Sequence, residues 1–129
     1  MAARALPTRA AALAVLCAAA LAGCMHRDDV HVRIRFVAPP GTGPLENLTV
    51  FVGATKSSWP TIAAGESVSV VLPSGEDPEI SMTYRIAPGR LGDWRGPRLA
   101  AGARHAVALT VGADGAVTEA HCALPCTLP

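Results

Sequence analysis

From residue 30 onward the apolar residues recur with a period of two. Val30, Val32, Ile34 and Phe36 alternate with His31, Arg33 and Arg35. Four apolar side chains therefore fall on one face of an extended strand and three basic ones on the other. A strand over 47–53 repeats the pattern, with Leu48, Val50 and Val52 toward the core and Thr49 and Phe51 opposite. Val68, Val70 and Leu72 follow, then Ile80, Met82, Tyr84 and Ile86, then Val107, Leu109 and Val111. These make five clear strands. Ala113-Asp114-Gly115 is a hairpin signal, because Asp-Gly tolerates the positive φ angles of tight turns, and it predicts that 104–111 pairs antiparallel with a final strand near 116–121. Weaker strands around 58–62 and 94–99 bring the number to seven or eight.

Between the strands, Pro39-Pro40-Gly41-Thr42-Gly43-Pro44 cannot continue a ladder, so the chain must reverse or cross over there. The segments 73–78 and 87–92 read as loops by their proline and glycine content. No helical period appears after residue 24. Many short strands at regular spacing predict an all-β fold: a small immunoglobulin-like antiparallel β-sandwich, with a small barrel as the alternative. Ile62-Ala63-Ala64-Gly65-Glu66-Ser67-Val68 resembles the Leu-x-Pro-Gly-Glu-Ser turns of bacterial extracellular immunoglobulin-like adhesion and fibronectin-like modules. That resemblance implies a fold and no activity. Trp59 with the turn at Gly65, and Trp94 with the turn at Gly102, form a loose internal echo of two similar strand-turn-strand units. Aromatic residues are only 4% of the chain, so the core must be mainly aliphatic.

The first two dozen residues follow a different grammar. Arg4 and Arg9 precede an apolar run over 10–22, the layout of an export signal. Thirteen residues make only about 20 Å of helix, too short for a hydrocarbon core of roughly 30 Å. The run ends in Leu21-Ala22-Gly23-Cys24, which resembles a bacterial lipobox. The resemblance implies a signal peptide over 1–23, lipidation of Cys24, a short tether over 24–29 and a folded domain over 30–129. Two or three acyl chains, at about 0.8 kcal/mol per buried CH₂, would hold such a terminus in a membrane. Met25 rather than Asp after the lipidated cysteine implies the outer membrane in a cell with two membranes, and otherwise the outer leaflet of the plasma membrane. Loss of 1–23 leaves 106 of the 129 residues and takes away Arg4 and Arg9, so the formal charge changes from +1 to −1. Mixed charge of this size gives no footprint for nucleic acid.

With Cys17 in the signal and Cys24 lipidated, Cys122 and Cys126 remain as a pair in an exported chain, which favours a disulfide. With His121 they are also ligands of the kind copper and zinc prefer, but a metal carrier needs both thiols free, and a lone pair lacks the second knuckle of a structural zinc site. No metal or other cofactor is expected. Ser74 lies outside any Gly-x-Ser-x-Gly elbow, and Glu76, Asp77 and Glu79 cluster beside Pro78 as a solvated loop, so no catalytic constellation is evident and no small-molecule substrate is implied.

Two features bear on binding. The outward stripe of His31, Arg33 and Arg35, extended by Arg85, reads either as a solvated sheet face or as a surface for an anionic envelope polymer or the acidic patch of a protein partner. Trp59 and Trp94 stand near loops, where an indole either plugs the sandwich or anchors an interface. The expected function is a lipid-anchored, non-catalytic binding or scaffolding module of the cell envelope. Its alternative is an inhibitor or assembly accessory of an envelope enzyme or secretion complex, docking through a loop that carries Trp94.

Overall fold

A computed structural model describes residues 29–75, 78–86 and 88–128. The chain forms eight strands: β1 (Asp29–Val37), β2 (Leu45–Val52), β3 (Thr55–Ile62), β4 (Ser67–Pro73), β5 (Glu79–Ile86), β6 (Arg90–Arg98), β7 (His105–Gly112) and β8 (Val117–Ala123). They build two four-stranded sheets. Sheet A has the order β4-β1-β7-β8, and sheet B has the order β3-β2-β5-β6. The expected all-β sandwich is what forms, and the barrel alternative falls because the ladders make two open sheets.

Alternation decides which residues enter the space between the sheets. Val30, Val32, Ile34 and Phe36 from β1 meet Leu48, Val50 and Val52 from β2, Ile80 and Met82 from β5, and Val107, Leu109 and Val111 from β7, all buried in one cluster. A one-residue slip in any of these strands would turn its apolar row to solvent, so the core itself fixes the register. Asn47 takes a positive φ of 49°, where the β2–β5 register shifts between Glu46 and Thr49. Asparagine tolerates that conformation better than most residues, and the bulge keeps both halves of β2 facing the core.

The crossovers follow from the breakers. The segment 38–44 carries the chain from β1 in sheet A to β2 in sheet B, as the prolines demanded. The two glycines of the sequence echo do equivalent work: Gly65 (φ 83°) lies in the arch from β3 to β4 and Gly102 (φ 78°) in the arch from β6 to β7. Each arch leads from an edge of sheet B into sheet A. At the first, Glu66 accepts the Ala63 amide through Oε2 at 3.0 Å, and Gly65 donates to the Phe36 carbonyl at 2.7 Å.

Three expectations change. The sandwich is not wholly antiparallel, since β1 and β7 run parallel, Val30 beside His105 through Val37 beside Gly112. The segment 87–92 is not all loop, because Arg90, Leu91 and Gly92 already pair with Ile86, Arg85 and Tyr84 as the start of β6. β1 begins at Asp29, inside the segment read as tether. The signal peptide over 1–23 and the lipidated Cys24 lie outside the described residues.

Candidate functional site

The outer face of sheet A collects basic side chains over a floor of small ones. In the ladder, Arg33 stands between Ser69 of β4 and Ala108 of β7, and Arg35 stands between Ser67 and Thr110. No large side chain rises on either flank of the arginines, so each is bordered by a groove. One groove of about 540 Å³ runs past His31, Arg33, Ser69, Val71 and Ala106 to Leu128 near the C-terminal end. A second, of about 300 Å³, lies beside Arg33, Arg35, Ser67 and Thr110. Arg104, from the β6–β7 arch, donates through Nη2 to Nε2 of His31 at 3.4 Å, which brings a further guanidinium to this face.

Arg85 does not extend the stripe. It pairs with Glu46 and Leu91 on the outer face of sheet B, at the opposite side of the molecule. Alternation assigns a residue to the outside of its own sheet; it does not say which sheet.

Trp59 and Trp94 lie on strands and not on loops. They sit on the two edge strands of sheet B, in register with the core residues Leu48 and Met82, and both indoles pack half-buried against the core. The Trp94 ring lies over Gly96, where a Cβ would collide with it. Both tryptophans thus lie half-buried on the flanks of the sandwich, the placement of the plugging alternative.

Cys122 and Cys126 form a disulfide with a Cα–Cα distance of 6.3 Å. It closes the turn after β8, where Leu124 also donates its amide to the Arg104 carbonyl at 2.8 Å. His121, itself exposed, pairs with Glu119 on the face of β8 opposite Cys122. The trio of a metal carrier is therefore not assembled. Among the described residues no group of three or more His, Cys, Asp or Glu is placed to hold a metal ion. Glu79 lies 3.6 Å from Arg98 in an ion pair, whereas Glu76 and Asp77 fall outside the described residues. His105 is buried and ties its Nε2 to the Ala100 carbonyl at 2.9 Å, a structural contact inside the β6–β7 arch.

One contact had no signal in the pattern beyond an inward tyrosine. The Tyr84 hydroxyl of sheet B donates to the Gly115 carbonyl in the β7–β8 turn of sheet A at 2.7 Å. It fastens the two sheets at the end away from Asp29. Burial, then the carboxylates of Asp93 and Asp114, push the Tyr84 hydroxyl above its ordinary pKa.

No protein-family model and no curated protein matches the sequence. Among solved structures, the chain is similar to a protein from Eubacterium rectale determined by NMR, with 10% identity and a TM-score of 0.50 over 72% of this chain and 87% of that one. It also matches a candidate cell adhesion protein from Bacteroides uniformis ATCC 8492 with 12% identity and a TM-score of 0.38, over 74% of this chain and half of that protein's length. At such identities the first likeness shows the fold alone. This chain carries a small all-β sandwich distantly resembling immunoglobulin-like and fibronectin domains.

Proposed function

We propose that this chain is a lipid-anchored, non-catalytic module of the bacterial cell envelope, binding an acidic partner through the outer face of sheet A. The observation that carries the anchor is Leu21-Ala22-Gly23-Cys24, which leaves only five residues from the lipidated cysteine to the start of β1 at Asp29. Five residues span at most about 18 Å, so the domain stays close to the bilayer. Met25 after the cysteine directs it to the outer membrane in a cell with two membranes, and otherwise it occupies the outer leaflet of the plasma membrane. Binding is favoured by the basic stripe of Arg33 and Arg35 over small residues, which leaves room for a ligand to reach the guanidinium groups.

A docking loop around Trp94, the feature that would favour an enzyme inhibitor or assembly accessory, loses its basis because that indole packs against the core. The test of the anchor is Cys24→Ser. The variant is expected to lose incorporation of labelled palmitate and to leave the membrane fraction. Retention of both label and membrane association would overturn the anchor.

A further inference from the structure

Each sheet of an open sandwich has two edges, and an unprotected edge is a template for another strand. Three of the four edges here carry guards. β3 has Lys56 and Pro60, and β6 has Arg90, Asp93, Arg95, Pro97 and Arg98. β8 carries Glu119 and His121 and then closes into the disulfide turn. The remaining edge, β4, reads Ser-Val-Ser-Val-Val-Leu-Pro, with no charged residue and its one proline at the end. Among the described residues it pairs with β1 alone. Its outward Val71 is 51% exposed beside the stripe of basic residues.

We propose that the free edge of β4 takes up an extended acidic segment of a partner protein as a fifth strand of sheet A. Main-chain hydrogen bonds supply the docking, as in strand addition generally, and side chains supply the choice of partner. Alternate residues of the incoming strand continue the two faces of β4. On the core side they cover the half-buried Val68 and Val70. On the outer side they lie two strand spacings, about 9.6 Å, from β1. The residues in between are Ser69 beside Arg33 and Ser67 beside Arg35, so a guanidinium can lie across β4 without displacing a larger side chain. Arg35 makes no ion pair among the described residues. Carboxylates at alternate positions of the incoming strand meet it, while a basic strand is repelled. Alternating apolar and acidic residues are therefore the pattern that fits.

This inference rests on the reading of sheet A as the binding surface and is independent of the lipid anchor. The test uses the mature chain in detergent micelles, titrated with a blocked eight-residue peptide of alternating valine and glutamate, and followed by amide chemical shifts and hydrogen exchange. Saturable shifts and slowed exchange are expected along β4, with loss of binding when alternate peptide amides are N-methylated. Arg35→Glu is expected to weaken the acidic peptide about fivefold and to favour a valine–lysine counterpart, with an unchanged spectrum elsewhere showing that the fold is intact. Shifts confined to β1 and β7, or binding indifferent to N-methylation, would overturn strand addition while leaving the basic face as a binding surface. No binding of any probe would overturn both, and self-association through β4 would replace the peptide by a second copy and overturn the proposal.

Discussion

Sheet B and sheet A treat their flanks in opposite ways. Both edge strands of sheet B place an indole inward, and Trp59 and Trp94 seal the sides of the core. The edges of sheet A carry no large aromatic: β8 ends in a disulfide turn, and β4 presents valines and serines. Outer faces differ as well. Sheet B mixes Glu46, Lys56, Arg85, Asp93 and Arg95, whereas the centre of sheet A outside Asp29 carries His31, Arg33 and Arg35 among small residues. One sheet seals its flanks with aromatic side chains, and the other leaves a basic face and an uncharged edge strand. The lesson is that a side chain's role follows from the face and edge its strand gives it, and not from its type.

That contrast can be broken by substitution, beginning with the plugs. Trp94→Ala opens a flank of sheet B and should lower unfolding stability by about 3 kcal/mol, measured by denaturant titration, with Trp59→Ala acting in the same direction. A change that weakened binding but left stability intact would return the indoles to an interface. Next, replacing Cys122 and Cys126 together by serine should cost about 2 kcal/mol by the chain-entropy estimate for so short a loop. Increased hydrogen exchange should then be confined to the end of β8.

Smaller still is the tie between the sheets. Tyr84→Phe removes the bond to Gly115 and should cost about 1 kcal/mol, a fall of roughly 5 °C in Tm for a domain of this size. This tie also titrates. Because the folded protein holds the Tyr84 proton more tightly than the unfolded chain, its contribution is fully present below a pH of about 10 and is lost as pH rises through the elevated value. Tyr84→Phe should therefore flatten the alkaline fall in stability, and an equally steep fall in the variant would reject that cause. Least of all, Arg35→Ala should leave the midpoint of unfolding unchanged, since its side chain is exposed on the basic face.

Alternation made most of the fold legible. The inward rows of β1, β2, β5 and β7 can be read residue by residue, and Asp114-Gly115 announces the last hairpin. Partners were not legible, because a period of two names a face and leaves the neighbouring strand open: the parallel β1–β7 ladder and the separation of Arg85 from Arg33 both follow from pairing between distant segments. Composition misled at Arg90, Leu91 and Gly92, where the turn is short and strand pairing with Tyr84–Ile86 overrides the glycines. The candidate site was half visible. Arg33 and Arg35 announce themselves as an outward stripe, but the bare edge of β4 appears only after the other three edges are known.

The parallel pairing of β1 with β7 has a consequence for the order of events during folding. Sheet B can assemble from the hairpins β2–β3 and β5–β6, whose ends are close along the chain, while the centre of sheet A must wait until residues as distant as Val30 and His105 have met. Closing so long a loop costs entropy before any contact repays it, which places this topology among the slower folders, in milliseconds to seconds. Val32 and Val107, neighbours in that ladder, are accordingly positions where a conservative truncation should slow folding and not merely speed unfolding.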